Sequence, residues 1–233
     1  MSVRPLATVP DCDDFVYVFN HIPRTGGGAL AVMLASVLRP VYDYPGQTEA
    51  EFARWLETPV ALDSLGAGDL LIGHYTAPGG WLLQRYPEAF DSSRYRLITV
   101  LRDPWAWVCS LLRYFGREGL GFGSEKEAVT RLAGLYSRVL EVPGDSGQDA
   151  LSAYWFVGIT EDLQSAADRL LHVWRKPPRQ LNAVNLSAPR HSHAPPALPP
   201  SDYLQMAASD VGLYRAAVVR SRAGGLKDGG DAW

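Results

Sequence analysis

The sequence predicts an α/β fold, a three-layer sandwich in which a central, mainly parallel β-sheet is flanked by helices. Short apolar runs typical of strands buried on both faces alternate with longer segments of helical character. The chain has 233 residues, of which 47% are hydrophobic, and this suits one domain with a sizeable core. We therefore expect a single domain over residues 1–221 and a flexible, glycine-rich tail over residues 222–233.

Four strands are predicted from runs of mostly apolar, β-favouring residues. They cover residues 15–19, 69–73, 96–101 and 155–159. The runs are short and continuous rather than alternating, which favours a parallel sheet covered on both faces.

Helices are predicted between and after these strands. They cover residues 26–38, 48–57, 104–116, 124–141, 161–174 and about 201–220. Thr48 is a candidate N-cap, Pro104 suits a first helical position, and Ser124 with Glu127 fits a capping box. The proline-rich segment 176–200 is expected to be a loop.

Composition argues against several classes of partner. The net charge is −3 at pH 7, so bulk attraction to nucleic acid or to anionic membranes is not expected. No apolar run reaches transmembrane length, and the N-terminal stretch MSVRPLATVPDCDD has no hydrophobic signal core. We therefore expect a cytoplasmic protein with no nucleic-acid or membrane partner. Its two cysteines, Cys12 and Cys109, are too few for a disulfide framework.

The stretch FVYVFNHIPRTGGGALAVMLASVL, residues 15–38, predicts a strand, a glycine-rich turn and a helix. Gly26, Gly27 and Gly28 allow the backbone to turn sharply and to approach a ligand closely. The N-terminus of the following helix offers free N–H groups, and Arg24 adds a positive charge with bidentate donors. This pattern predicts a site for a phosphate or sulfate group. The alternative is a turn that only connects strand and helix.

The turn does not match the pattern G-x-x-x-x-G-K-[ST] of nucleotide hydrolases. Arg24 precedes the glycines, and no Lys-Ser or Lys-Thr pair follows them. A Mg²⁺-dependent nucleotide hydrolase would use that hydroxyl and the acidic residue of a Walker-B motif, and neither is evident here. We therefore expect the site to hold its anion without a metal.

A second candidate anion site follows the strand at 96–101, in the stretch LRDPWAWVCSLLRYF. Arg102 stands at the strand end and Ser110 eight residues later, about two helical turns away. Because ligands of open α/β sheets bind at the carboxyl ends of strands, Arg102 and Ser110 are expected to hold a second phosphate. The alternative is an Arg–carboxylate pair on the surface, with Ser110 facing solvent.

These motifs resemble those of the sulfotransferase family. HIPRTGGGAL is similar to the 5′-phosphosulfate loop HIPKTGGTSL of the carbohydrate-sulfotransferase branch, and LRDPWAWVCSLLRY to the 3′-phosphate segment RDPxxRxxSxY. IGHY resembles the segment that supplies an active-site histidine, and YWFVGITEDLQSAADRL resembles FVGLTERFDESLxLL. LNAVNLSAPR and SDVGLYRAA resemble the C-terminal segments of the family. The resemblance implies a fold related to the P-loop nucleotide hydrolases.

The resemblance also implies a reaction and a co-substrate. A sulfuryl group would pass from 3′-phosphoadenosine 5′-phosphosulfate (PAPS) to a hydroxyl of a glycan or a small metabolite, with no metal. Arg24 would neutralise charge on the bridging oxygen. The N–H groups of Thr25, Gly26, Gly27 and Gly28, with the Thr25 hydroxyl, would hold the 5′-phosphate. Arg102 and Ser110 would hold the 3′-phosphate.

The resemblance places a catalytic histidine at His74, directly after the strand at 69–73. A neutral histidine suits proton removal from an acceptor alcohol near pH 7. The alternative for His74 is a hydrogen bond to loop backbone. His21 is expected to have a positioning role, with the role of base as its second option. His191 and His193 are expected to be solvated, because no third ligand for a metal stands near them.

Three departures from the family pattern affect donor binding. Arg24 stands where the family usually has lysine, and the two side chains differ in geometry. Gly28-Ala29 replaces Thr-Ser, which removes a hydroxyl contact, and Trp107 replaces the second basic residue of RDPxxR. The alternative functions are a metal-dependent nucleotide kinase with a degenerate phosphate loop and a non-catalytic binder of phosphorylated ligands. The sequence carries no signal for oligomeric state or for the identity of the acceptor.

Overall fold

Five parallel strands form the centre of the structure, a computed structural model that describes residues 14–46, 48–118, 124–141, 150–182 and 199–227. In chain order the strands of these ranges are β1 (Val16–Asn20), β2 (Arg39–Asp43), β3 (Asp69–Gly73), β4 (Tyr95–Leu101) and β5 (Phe156–Ile159). Across the sheet they lie in the order β2-β3-β1-β4-β5, and all neighbouring pairs are parallel.

Helices connect the strands and follow the last of them. They are α1 (Gly27–Ala35), α2 (Glu49–Glu57), α3 (Leu82–Arg85), α4 (Pro104–Glu118), α5 (Glu125–Leu132), α6 (Leu135–Val139), α7 (Leu163–Val173), α8 (Pro200–Met206) and α9 (Ala208–Arg222). Short 3₁₀ turns lie at Leu62–Ser64, Pro87–Phe90, Ala150–Ala153 and Thr160–Asp162.

The central strand β1 is buried on both faces. Its side chains alternate between the two sides of the sheet. Tyr17 and Phe19 pack in the cluster that includes residues of α1 and α7, and Val16 and Val18 pack in the cluster that includes residues of α4 and α9. Each fully buried apolar side chain of this kind contributes about 1.5–3 kcal/mol. The predicted α/β fold with helices on both sides of a parallel sheet is confirmed.

The edge strand β2 was not expected from the sequence. Its segment, RPVYD, contains no apolar run, because most of its residues are exposed at the edge of the sheet. Pro40 lacks a backbone N–H and is tolerated in a strand mainly at such an edge. The four predicted strands are confirmed, with bounds that differ by no more than one residue.

Two predicted long helices are each broken in two. The predicted helix at 124–141 is wrong, because Gly134 has a φ of 75° between α5 and α6, which a continuous right-handed helix cannot contain. The predicted final helix is divided at Ala207 into α8 and α9. The helix predicted over 26–38 ends at Ala35.

The helix starts predicted at Thr48, Pro104 and Ser124 are confirmed, and the capping box predicted for Ser124 and Glu127 is described only in its first half. The Thr48 hydroxyl accepts a hydrogen bond from the Glu51 N–H at 3.2 Å, and the Glu51 carboxylate accepts one from the Thr48 N–H at 2.9 Å. The Ser124 hydroxyl accepts a hydrogen bond from the Glu127 N–H at 3.2 Å. Pro104 is the first residue of α4.

Part of the expected C-terminal tail contacts the sheet. The Val157 N–H donates to the Gly225 carbonyl at 2.9 Å, and the Lys227 N–H donates to the Trp155 carbonyl at 2.8 Å. Residues 228–233 of the tail lie outside the described residues, as do Cys12, His191 and His193. In the ranges that are described, no helix has both the length and the apolar character of a membrane span.

Asp43, at the end of β2, is the centre of a buried polar network. Its carboxylate accepts hydrogen bonds from Trp55 Nε1 at 2.7 Å, from Arg85 Nε and Nη2 at 2.8 Å each, and from the Tyr86 hydroxyl at 2.8 Å. The Arg85 guanidinium also stacks 4.1 Å from the centre of the Trp55 ring. This network holds the edge strand against α2 and α3.

We expect Asp43→Ala to lower the free energy of unfolding by about 3–5 kcal/mol, because it leaves the buried Arg85 charge without its carboxylate. Glu127→Ala is the control, since the Glu127–Arg131 pair is exposed and should contribute no more than about 1 kcal/mol. Urea denaturation measures both values. A loss for Asp43→Ala no larger than that of the control would contradict the role of the network.

Candidate functional site

The glycine loop, residues 21–28, connects the end of β1 to the first turn of α1. Two of its residues have left-handed backbone conformations, Arg24 with a φ of 67° and Gly26 with a φ of 79°. Glycine adopts this conformation at little cost, but arginine does so only when the surrounding structure holds it there. The conformation of the loop therefore depends on its contacts with neighbouring segments.

Three consecutive carbonyl groups of the loop lie within hydrogen-bond distance of side chains from other elements. Trp107 Nε1 donates to the Pro23 carbonyl at 2.8 Å, and Arg102 Nη1 donates to the Arg24 carbonyl at 3.2 Å. The Thr160 hydroxyl lies 2.6 Å from the Thr25 carbonyl.

Those three side chains determine where the loop N–H groups point. In a trans peptide the N–H points opposite to the preceding carbonyl. The N–H groups of Arg24, Thr25 and Gly26 therefore point away from the side chains that hold the loop. The structure thus arranges three successive N–H donors at the end of the central strand.

The Thr25 side chain is buried, and its hydroxyl donates to the Ile22 carbonyl at 2.8 Å. Its proton is therefore used within the loop, and the expected contact of Thr25 with a phosphate would come from its N–H. Trp107, which replaces a basic residue of the family pattern, is also buried and holds the loop at Pro23.

Gly27 lies against the imidazole ring of His21. A Cβ at this position would be 2.2 Å from Cδ2 and 2.6 Å from Nε2 of His21, closer than any side chain can approach. The first turn of α1 therefore requires glycine at position 27, and the Nε2 edge of His21 lies beside that turn. Gly28 follows within the same turn, and the helix leaves its first N–H groups without intrahelical partners.

The second candidate anion site meets the glycine loop. Arg24 Nε donates to the Ser110 hydroxyl of α4 at 3.1 Å, and the Arg24 guanidinium lies 5.6 Å from the ring centre of Tyr114. The Arg102 guanidinium donates to the backbone carbonyl of Arg24. Ser110 is buried rather than facing solvent, and the hydrogen bond described for the Arg102 guanidinium is to a carbonyl. The alternative in which Ser110 faces solvent is therefore wrong, and Arg24, Arg102 and Ser110 lie together.

Asp103 and Pro104 place Ser110 by starting α4 at the end of β4. The Asp103 carboxylate accepts a hydrogen bond from the Ala106 N–H at 2.8 Å, as an N-cap does. The Glu161 carboxylate accepts the Asp103 N–H at 3.0 Å.

Three aromatic side chains form a histidine cluster: His21, Tyr44 and His74. Each directly follows a strand, namely β1, β2 or β3, and Gly73 at the end of β3 is in register with the last residues of both neighbours. The ring centres are 4.6 Å apart for the two histidines and 4.5 Å apart for Tyr44 and His74. His21 Nδ1 and the Tyr44 hydroxyl lie 3.2 Å apart in a hydrogen bond.

Tyr44 is a site residue that the sequence did not indicate. It follows β2, the edge strand with no apolar run, so no motif marked it as a strand-end residue. The signal that could have found it is the spacing of Tyr42 and Tyr44, because two residues that are two positions apart in a strand lie on the same face. In the structure the two rings stack with their centres 6.1 Å apart.

Burial keeps all three members of the cluster uncharged at pH 7. Desolvation lowers the pKa of His21 to about 3, helped by the neighbouring His74, and lowers the pKa of His74 to about 4. Desolvation also raises the pKa of Tyr44 to about 12. His74 Nε2 is shielded from solvent and has no hydrogen-bond partner among the described residues, which is uncommon for a buried nitrogen.

Metal-ligating side chains do not converge in the described part of the chain. Its His, Cys, Asp and Glu residues form no group of three or more that could hold a metal ion. Instead, Arg24, Arg102 and Ser110 lie together on one side of β1, and the histidine cluster lies on the other side.

Comparisons with known proteins find similarity in structure and none in sequence. No protein-family model matches the chain, and no curated protein matches it significantly. Among solved structures, the chain is similar to a sulfotransferase from Alicyclobacillus acidocaldarius, with a TM-score of 0.45 and 13% identity. The alignment covers 89% of this chain and 94% of that chain.

The two buried histidines predict acid destabilisation. Their pKa values are about 3 and 4 in the folded state, against 6.5 as the ordinary value, so the unfolded chain binds more protons below pH 6.5. The free energy of unfolding should be fully retained above pH 6.5 and should fall as the pH decreases, by up to about 1.4 kcal/mol per pH unit for each histidine.

Urea titrations between about pH 5 and 7, above the ordinary pKa values of aspartate and glutamate, measure this slope. His74→Asn should reduce this slope by about half, because His21 remains in the cluster. A wild-type stability that is flat over this range would show that the histidines are not held neutral by burial.

Proposed function

We propose that this protein transfers a sulfuryl group from PAPS to a hydroxyl of a glycan or small-metabolite acceptor. The observation that carries the proposal is the junction of the two anion sites: Arg24 of the glycine loop donates to Ser110, and Arg102 donates to the Arg24 backbone. A donor that carries anionic groups at both the 3′ and the 5′ position of its ribose matches two adjoining anion sites. The motif resemblance to sulfotransferases supports the same donor.

In this proposal the glycine loop holds the 5′-phosphosulfate. The donors are the N–H groups of Thr25 and Gly26, set by the contacts of the loop with neighbouring elements, and the N–H groups of Gly27 and Gly28 in the first turn of α1, which have no intrahelical partner. Together with the helix dipole they form a cradle of fixed partial positive charge.

Arg102 and Ser110 hold the 3′-phosphate. The Ser110 hydroxyl accepts from Arg24, so its own proton remains available for an anion. Arg102 contributes a charge and further donors at the end of β4. This second contact distinguishes PAPS from nucleotides that lack a 3′-phosphate.

The chemical step needs positioning and charge neutralisation more than covalent assistance. Sulfuryl transfer, like phosphoryl transfer, is expected to be in-line with a loose transition state, in which charge develops on the leaving phosphate. Arg24 is part of the loop that holds this phosphate, so its charge is present before the reaction begins.

His74 is the proposed general base. It is neutral at pH 7, and a hydroxyl that reaches Nε2 would supply the hydrogen bond that this nitrogen lacks. A bound anionic donor raises the pKa of a nearby histidine, so His74 becomes a stronger base when PAPS is present. The kinase alternative is less well supported, because Gly28 and Ala29 offer no hydroxyl for Mg²⁺.

Nucleotide binding is the first test. Calorimetry should detect binding of 3′-phosphoadenosine 5′-phosphate equally with and without Mg²⁺, and binding of ADP should be weaker. Arg102→Ala should reduce affinity for the 3′-phosphorylated nucleotide by about tenfold to a hundredfold, as expected for a charged hydrogen bond. Affinity for adenosine 5′-phosphosulfate should fall by a smaller factor, which reports only the loss of the bond from Arg102 to the Arg24 carbonyl.

Arg131→Ala, which removes an exposed arginine of α5, is the matched control and should leave both affinities unchanged. Equal losses for both nucleotides in Arg102→Ala would misplace the 3′-phosphate site. A requirement for Mg²⁺ would favour the kinase alternative.

Turnover is the second test. Wild-type protein should transfer sulfate from PAPS to some member of a panel of sugars, phenols and aliphatic alcohols. His74→Ala should lower kcat by about a hundredfold or more, the usual contribution of a general base, and leave the Kd for 3′-phosphoadenosine 5′-phosphate nearly unchanged. His172→Ala should behave as wild type. Undiminished turnover in His74→Ala would exclude this residue as the base.

A further inference from the structure

The two ring nitrogens of His21 face different neighbours. Nδ1 is 3.2 Å from the Tyr44 hydroxyl. Nε2 lies at the first turn of α1, 2.6 Å from where a Cβ of Gly27 would be. One nitrogen therefore contacts the residue after β2, and the other lies beside the predicted anion site.

A neutral imidazole has one N–H donor and one acceptor nitrogen, so the partner of one nitrogen sets the role of the other. If the Tyr44 hydroxyl donates to Nδ1, the proton of His21 is on Nε2 and is directed to the anion side. If Nδ1 donates to Tyr44 instead, a lone pair faces that side. An anion held in the glycine loop would be attracted by the first arrangement and repelled by the second.

We propose that Tyr44 is a positioning residue, which donates to His21 Nδ1 and so makes His21 Nε2–H an uncharged hydrogen-bond donor to the anionic group in the glycine loop. This inference rests on the proposed function and assigns the two histidines of the cluster to different tasks. His21 cannot act as the base, because its acceptor nitrogen is occupied by the Tyr44 hydroxyl.

His74 is left with the complementary role. Its Nε2 has no hydrogen-bond partner in the described ranges, and its ring is fixed by contacts with both His21 and Tyr44. A donor histidine on one side and an acceptor histidine on the other suit a reaction in which negative charge leaves and a proton is removed. Because His21 stays neutral, this arrangement places no extra charge in the buried cluster.

Tyr44→Phe and Tyr42→Phe form a matched pair for the test. Both remove one hydroxyl and keep the ring, but Tyr42 is 60% exposed and stacks on Tyr44 without contacting His21 through a described hydrogen bond. Long-range ¹H–¹⁵N NMR of full-length ¹⁵N-labelled protein reports the tautomer of His21. In the wild type and in Tyr42→Phe, Nε2 should carry the proton, and in Tyr44→Phe the signals should move towards a mixture of tautomers.

The same variants are titrated with 3′-phosphoadenosine 5′-phosphate. Tyr44→Phe should weaken binding by about two- to tenfold, the range expected for one hydrogen bond, and Tyr42→Phe should not. A thermal melt close to that of the wild type shows that Tyr44→Phe remains folded. A role in stability alone would lower the melting temperature without changing the tautomer.

Two results would overturn the inference without touching the proposed function: a wild-type His21 protonated on Nδ1, or equal nucleotide affinity in the wild type and Tyr44→Phe. A wild-type protein that does not bind the nucleotide would overturn the proposed function, and with it the anion-donor role of His21. The NMR measurement on the free protein separates these outcomes.

Discussion

The arrangement of the site depends on the hydrogen bonds that hold three consecutive carbonyls of the glycine loop. Trp107, Arg102 and Thr160 reach these carbonyls from α4 and from the ends of β4 and β5. They stabilise the left-handed conformation of Arg24 and turn the N–H groups of the loop the other way. Without them, the loop could still connect strand to helix, but its donors would have no fixed direction. Preorganised donors of this kind are what anion binding and charge stabilisation require.

The parallel sheet supplies the second constraint, because its register brings residues from distant parts of the chain to one edge. Asn20, Asp43 and Gly73 end three neighbouring strands in register, so the residues that follow them meet as the histidine cluster. On the other side of β1, Arg102 directly follows β4 and lies next to the glycine loop. The cationic and the neutral polar parts of the site thus lie on opposite sides of the central strand.

Local signals in the sequence were sufficient for much of this arrangement. Apolar runs identified four strands, and glycine spacing with Arg24 identified the loop, because both follow from short-range sterics and burial. The sequence missed β2 and therefore Tyr44, since an exposed edge strand has no apolar run to mark it. It also assigned one helix to 124–141, although Gly134 is a left-handed break, because glycine alone does not reveal whether its φ is positive.

The sequence by itself determined the α/β class, four of the five described strands and the residues that carry positive charge at the strand ends. Those features depend on composition and on spacing along the chain. Only the tertiary structure decided that Arg24 donates to Ser110, that the Thr25 hydroxyl donates to the Ile22 carbonyl within the loop, and that His21 is hydrogen-bonded to Tyr44. These contacts join residues far apart in sequence, and their geometry is set by strand register and by packing around the central sheet.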